Sequence, residues 1–279
     1  DELRKLQAEA RAQGRWVGIG LASYAELTGL GSRIAVAPGM PVNTGTETAI
    51  VRIDSTGSVT AQFGISSHGQ GLETTLAQVI AEELGVQVSD VRVIHGDTGG
   101  MAHSTGTFAS RSTVLAGGAA ILSARDVKEQ VFKAAAHLFE ADPADLDAMA
   151  GEIFVMGTDR RMSFRQLARA FFSEMGRFPN ELREEISLEA IRTYDPFFGT
   201  TSPASHLVMI EVDRGTYGVS ILHYSAADDC GLVINPLIVN GQFHGGVAQG
   251  IGAALTEEVV YDESGQIQTA SLVDYVVPS

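Results

Sequence analysis

The stretch Ser66-Ser67-His68-Gly69-Gln70-Gly71-Leu72-Glu73-Thr74-Thr75 holds the residues whose types and spacing best suit chemistry. It stands between a strand-like run, Val59 to Ile65, and an amphipathic segment, Glu73 to Leu84. Two later stretches repeat its inventory: Gly106-Thr107-Phe108-Ala109-Ser110-Arg111-Ser112-Thr113, and Asp229-Cys230-Gly231 through Asn235 to Gly241-Gln242. Each offers backbone amides, hydroxyls and carboxamides near a helix start, with little formal charge. Amides at a helix start lack intrahelical acceptors and carry partial positive charge, so such surfaces suit large, polar, anionic small molecules. The competing reading of the first loop is an ordinary strand-to-helix turn, with glycines relieving sterics and Gln70 facing water. The hydroxyls of Thr107, Ser110, Ser112 and Thr113 around another helix start favour the ligand reading. Arg111 is either a phosphate partner or a solvated first-turn side chain.

Other chemistries find less support. The histidines at 68, 95, 103, 137, 206, 223 and 244 form no i,i+4 pair, and no HExxH or CxxC pattern is present. Cys230 lies beside Asp228 and Asp229, acidic neighbours that argue against an activated thiol. There is no Gly-x-Ser-x-Gly elbow, Walker lysine or kinase set. Gly18-Ile19-Gly20 lacks the third glycine and the following helix of a dinucleotide fingerprint, so it reads as glycines packed in a strand. The residues describe a binder of an anionic cofactor with no evident general base.

The elements that must position these residues follow from periodicity. Leu3, Leu6 and Ala10 are spaced for a short helix closed by Gly14, and Trp16 to Leu27 reads as a mostly buried strand. Gly29 to Gly45 is a connector. Glu47–Asp54 and Ser58–Ile65 alternate around Ser55-Thr56-Gly57 as a hairpin. A helix over 73–84 with a Gly85 cap, a strand from Val91 to His95, and a long helix from about Ser110 to Glu140 follow. Residues 141–184 read as accessory packing: a helix start at Asp142–Asp145, a strand Glu152–Met156 and a helix Phe164–Ser173. From Ser205 the order returns: a hairpin turning at 213–218, a Gly/Asn/Pro loop, and a helix-like run Leu237–Leu255 carrying Gln242. A further turn at 262–265 precedes a final strand at 274–278. Hairpin, loop and Gln-bearing helix thus occur twice. The expected fold is α+β, two similar lobes of mixed sheet with packed helices, over 1–140 and 185–279 with a connector at 141–184.

Bulk properties agree with a globular chain. Its 279 residues are 44% hydrophobic and 19% charged, enough for a sizeable core. With 34 acidic against 19 basic residues the net charge is −15, which repels nucleic acid and anionic membranes. One cysteine permits no intrachain disulfide, and no window approaches a membrane span, so a cytoplasmic setting is expected. The first residue is Asp1 and the last residues form an apolar, strand-like run, so the chain reads as a fragment.

The three segments, with Ile234-Asn235-Pro236 and His244-Gly245-Gly246, resemble in order and spacing those of molybdenum hydroxylase large subunits. The match is to the xanthine dehydrogenase / aldehyde oxidase superfamily, most of all to its bacterial branch with the aerobic carbon monoxide dehydrogenase large chain. The resemblance extends from Gly18 to Pro278. It implies that the chain belongs to the molybdopterin-binding half of the large subunit of an oxidoreductase, with the cytosine dinucleotide cofactor common in bacteria. It also implies that Gln70, Gly71 and Thr74 contact the pterin and its phosphates. Thr107, Phe108, Ser110, Ser112 and Thr113 would line the pyrophosphate and nucleotide path, and Cys230, Asn235 and Gln242 would meet the ligand from the second lobe. All three segments would converge on a single pterin.

In that family the pterin's dithiolene sulfurs hold the molybdenum, so no protein metal ligand is expected. Iron–sulfur clusters and FAD belong to partner subunits, and a second copy of the large subunit completes the assembly. The family's catalytic glutamate, in a Gly-Val-Gly-Glu-like motif, falls beyond Ser279, and an upstream glutamine near the metal and the substrate loop are also absent from this chain, so no catalytic residue is expected here and the chain alone should be inactive. Phe108 and Ala109 stand where the carbon monoxide enzymes have Tyr and Gly. Two other classes compete: a non-catalytic small-molecule or assembly module that kept the fold, and an ordinary nucleotide-binding α/β domain.

Overall fold

A computed structural model describes residues 1–34, 45–101 and 103–278; most of the expected connector at Gly29 to Gly45 lies outside the described residues. In chain order the elements are α1 (Glu2–Ala12), β1 (Trp16–Thr28), β2 (Glu47–Ile53), β3 (Val59–Phe63), α2 (Leu72–Leu84), β4 (Val91–Ile94) and α3 (Gly117–Phe139). They continue with β5 (Leu146–Met149), β6 (Glu152–Val155), β7 (Arg161–Ser163), α4 (Phe164–Ser173), α5 (Asn180–Glu185), β8 (Glu189–Tyr194), β9 (Thr200–Val212), β10 (Val219–Asp228) and α6 (Pro236–Leu255). This is a mixed α/β architecture with several sheets and packed helices, as the α+β expectation requires. The chain divides into two compact units, 27–201 and 1–26 with 202–279. Positions 140 and 184 both fall inside the 27–201 unit, and β1 shares a sheet with β9 and β10 from far along the chain.

In the 27–201 unit a four-stranded sheet has the order β4-β3-β2-β8. The hairpin pairs β2 with β3 antiparallel, Ala49 opposite Phe63, and β8 joins the far side of β2. Strand β4 pairs with β3 in parallel, Val59 opposite Val91, with α2 as the crossover. Inward positions of β2 and β3 alternate with period two, and Ala49, Val51, Ile53, Val59, Ala61 and Phe63 meet the apolar stripes of α2 and α3. Leu76, Ile80 and Leu84 supply the α2 stripe; Ala120, Ala124, Val127 and Val131 supply that of α3. Gly85 ends α2 with φ +77°, a left-handed cap that a side chain would strain. A small antiparallel sheet, β5-β6-β7, leads into α4 through a capping box between Ser163 and Gln166.

The other unit holds α1, most of β1 and β9, β10 and α6. Its sheet has the order β1-β9-β10, and the buried cluster there is small: Ala10, Val17 and Met209. Strand β1 was expected to be mostly buried; instead Leu21 and Tyr24 are 73% and 51% exposed. Its apolar residues occupy a three-stranded sheet whose faces bury little. Helix α6 forms where expected, but only Gly252 along it is buried. The final strand expected at 274–278 is a turn and irregular chain, with the amides of Asp274 and Tyr275 donating to Ser271 O. No described strand lies alongside to complete a ladder there.

Candidate functional site

Parallel pairing decides where the site lies. Because β3 and β4 run the same way, the chain leaves both at one end of the sheet, and each exit loop opens a helix there. Crevices outside the carboxyl ends of parallel strands are where α/β sheets bind ligands. The first exit loop is 64–71, leading into α2. The second, described over 95–101 and 103–111, leads through a π-helical turn, Ser112–Ala116, into α3.

A single hydroxyl joins the two loops. Thr107 Oγ1 accepts the Ser66 amide at 2.9 Å and donates to the Ser66 carbonyl at 2.7 Å. Both backbone groups of Ser66 are thereby held by the second loop.

Gln70 is half-buried, and its Oε1 accepts the His68 amide at 2.5 Å. Gly71 immediately precedes α2 at φ +76° and has no side chain to cap the first-turn amides. Thr74 is exposed on that first turn. A Cβ on Gly69 or Gly106 would meet nothing within 4 Å, so both backbones can be approached closely. Glu73 is turned toward His95, 2.8 Å away. The hydrogen bond from His95, then that of its own amide and, more weakly, that of Ser67, hold the Glu73 carboxyl below the usual glutamate range against the opposing effect of burial.

On the second loop Phe108 is 43% exposed, Ser110 and Thr113 are exposed, and Ser112 is half-buried. Ala109 and Ser110 both adopt φ +50°, left-handed backbone at two consecutive non-glycine residues. Such strain concentrates at ligand-binding loops, and π turns concentrate at functional sites as well.

Arg111 departs from both readings of it. It is neither solvated nor available to a phosphate: its side chain is 1% exposed and pairs at 2.8 Å with Glu47, whose side chain is 0% exposed. Glu47 and Ser104 were not singled out from sequence, yet Ser104 Oγ donates to Glu47 Oε2 at 3.0 Å. The signal for Glu47 was present: period two places it on the inward face with Ala49, Val51 and Ile53. An acidic residue on a core face demands a partner.

The remaining candidates lie in the other unit. Cys230 is exposed in the loop after β10. Asn235 caps α6, its Oδ1 accepting the Ile238 amide at 3.1 Å with Pro236 in the first turn. Gln242 is exposed on α6. Among the described residues no group of three or more His, Cys, Asp or Glu side chains is placed to hold a metal ion. No described helix is long and apolar enough to cross a membrane.

The 27–201 unit is therefore an α/β platform with two glycine-containing loops at the carboxyl ends of parallel strands. The family model for the molybdopterin cofactor-binding domain matches residues 1–279, and the chain belongs to that family. It is 40% identical over 272 residues to the 6-hydroxypseudooxynicotine dehydrogenase complex subunit gamma of Paenarthrobacter nicotinovorans, covering 96% of this chain and 32% of that protein. It is 36% identical over 264 residues to the carbon monoxide dehydrogenase large chain of Hydrogenophaga pseudoflava, 94% of this chain and 32% of the other. The crystal structure of quinoline 2-oxidoreductase from Pseudomonas putida 86 superposes with a TM-score of 0.89 at 39% identity, covering all of this chain and 35% of that one. The chain thus spans about a third of the length of these relatives.

Proposed function

We propose that this chain is the cofactor-binding part of a molybdenum hydroxylase large subunit and that its ligand is molybdopterin as the cytosine dinucleotide. The observation that carries the reading is the Ser66–Thr107 junction, which sets two neutral, donor-rich loops side by side at the helix starts. The residues fit the group. Phosphate and pterin oxygens want amides, hydroxyls and carboxamides with close backbone approach, and the open faces of Gly69 and Gly106 with the uncapped start of α2 supply them. Gln70, Gly71 and Thr74 would hold the pterin and its phosphates. Thr107, Phe108, Ser110, Ser112 and Thr113 would hold the pyrophosphate and nucleotide, and Cys230, Asn235 and Gln242 remain candidates for cofactor contact. When bound, the cofactor supplies a redox-active molybdenum held by its own sulfurs. This chain's residues bind and orient the group and limit its access to water.

For the whole enzyme we assign hydroxylation of a nitrogen heterocycle at a C–H bond with oxygen from water, electrons passing to iron–sulfur and FAD subunits in an assembly with two large subunits. The relatives at 40% and 39% identity are named for a nicotine derivative and quinoline, which favours a heterocycle over carbon monoxide, the substrate named for the relative at 36%. Phe108 and Ala109, in place of the Tyr and Gly of carbon monoxide enzymes, point the same way.

The test is acid hydrolysis of full-length protein made in a host that synthesises the cofactor, with chromatography for CMP and a metal assay. Molybdenum and CMP in equal amounts are expected. Absence of both overturns the reading, and a nucleotide without molybdenum indicates a simple nucleotide-binding domain. Full occupancy without turnover of any heterocycle or of carbon monoxide would indicate a non-catalytic module.

A further inference from the structure

Arg111 and Glu47 form a buried pair for which the proposed function has no role. Removing two charges from water is costly, and a pair of apolar side chains of similar volume often serves stability equally well. What the ions do here is distribute hydrogen bonds to one loop. Arg111 Nη1 donates to the Gly106 carbonyl at 2.5 Å, and Nη2 to the Thr46 carbonyl at 2.8 Å. Glu47 Oε2 accepts Arg111 and Ser104, and the Ser104 hydroxyl in turn accepts the Gly106 amide at 3.2 Å. Both backbone groups of Gly106 are therefore tied, the carbonyl through Arg111 and the amide through Ser104, to Glu47 at the start of β2. The next residue is Thr107, which holds both backbone groups of Ser66. The Arg111 guanidinium also stands 5.5 Å from the Phe108 ring centroid.

The geometry points to the Glu47–Arg111 pair as a positioning latch that sets the spacing between the two exit loops, and with it the affinity for the cofactor, without supplying the stability of the unit. The cofactor half of this inference rests on the proposed function; the loop half does not. A planar five-donor fork is what the latch requires, since a single ammonium cannot reach Glu47, Gly106 and Thr46 together.

The test compares full-length wild type with Arg111→Lys and with the double variant Glu47→Met/Arg111→Met, in which no charge is left buried alone. Amide hydrogen exchange is followed in cofactor-free protein from a host unable to make molybdopterin. Cofactor occupancy is measured after expression in a competent host. In the double variant, exchange at residues 66–71 and 104–110 should rise at least about tenfold while the amides of β2, β3 and α2 keep their protection, the signature of local opening. Occupancy should fall in parallel, with Arg111→Lys intermediate. Unchanged loop exchange in the folded double variant overturns the latch. Loosened loops with undiminished occupancy overturn its link to the cofactor. A wild type without molybdenum or CMP refutes the proposed function instead, and the exchange data still decide the latch.

Discussion

Thr107→Val removes one hydroxyl and keeps the side-chain volume. The hydroxyl makes two bonds, accepting from the Ser66 amide at 2.9 Å and donating to its carbonyl at 2.7 Å. Each contributes about 0.5–1.5 kcal/mol net, so the loss is roughly 1–3 kcal/mol. Ser66 and Thr107 are only half-buried, so water can replace part of this and the lower half of that range applies. The loss falls on the junction between two loops and hardly on the sheet beneath it, so a melting temperature is a poor reporter. In a chain of two compact units a single unfolding free energy is also ill-defined. Amide exchange at Ser66 and its neighbours is the appropriate assay, and a loss of about 1.4 kcal/mol corresponds to tenfold faster exchange. Thr107→Ser keeps the hydroxyl and should exchange like wild type. Equal protection in Thr107→Val and wild type would refute the reasoning, because it would mean that the two loops are held together by something else.

Gln70→Ala should lower cofactor occupancy in the full-length enzyme while leaving folding intact, measured as molybdenum per polypeptide beside circular dichroism; undiminished occupancy removes Gln70 from the site. Gly85→Ala should destabilise the 27–201 unit, since the left-handed cap costs a side chain about 1–2 kcal/mol and the new Cβ would lie 2.1 Å from the Ala148 carbonyl oxygen. Urea unfolding followed by far-UV circular dichroism checks it. The depressed Glu73 carboxyl contributes stability that is fully present above the ordinary glutamate value of about 4.3 and is lost as pH falls through the lower folded value. Protection of the first turn of α2 should therefore weaken on the acid side of that value, and Glu73→Gln should abolish the dependence.

Local chemistry made much of the fold legible. The helix Phe164–Ser173 has the bounds its sequence predicts because Ser163 and Gln166 form a capping box, and α2 ends where Gly85 can turn left-handed. The β2–β3 hairpin follows from alternation, and α6 forms within one residue of the expected Leu237–Leu255, its start set by the Asn235 cap and Pro236. Non-local pairing was not legible. No residue in Val91–Ile94 announces that it pairs in parallel with β3, yet that pairing puts both exit loops at one end of the sheet. The union of 1–26 with 202–279 is of the same kind. The loop motifs were visible as residue types, but the role of Arg111 was not: period two marks Glu47 as an inward acid in need of a partner, but nothing in the sequence says that the partner stands 64 positions away. Burial of β1 was misjudged because apolar composition does not reveal whether a second layer covers the strand.

The central claim is that the loops 66–71 and 104–110 hold the cofactor. Hydrogen exchange of the full-length protein with and without molybdopterin tests it most directly, at amides that the cofactor would contact. The account predicts that both loops and the first turn of α2 gain protection together on loading, while the distant β5–β7 sheet does not change. Stoichiometric molybdenum and CMP with unaltered exchange in both loops would contradict it.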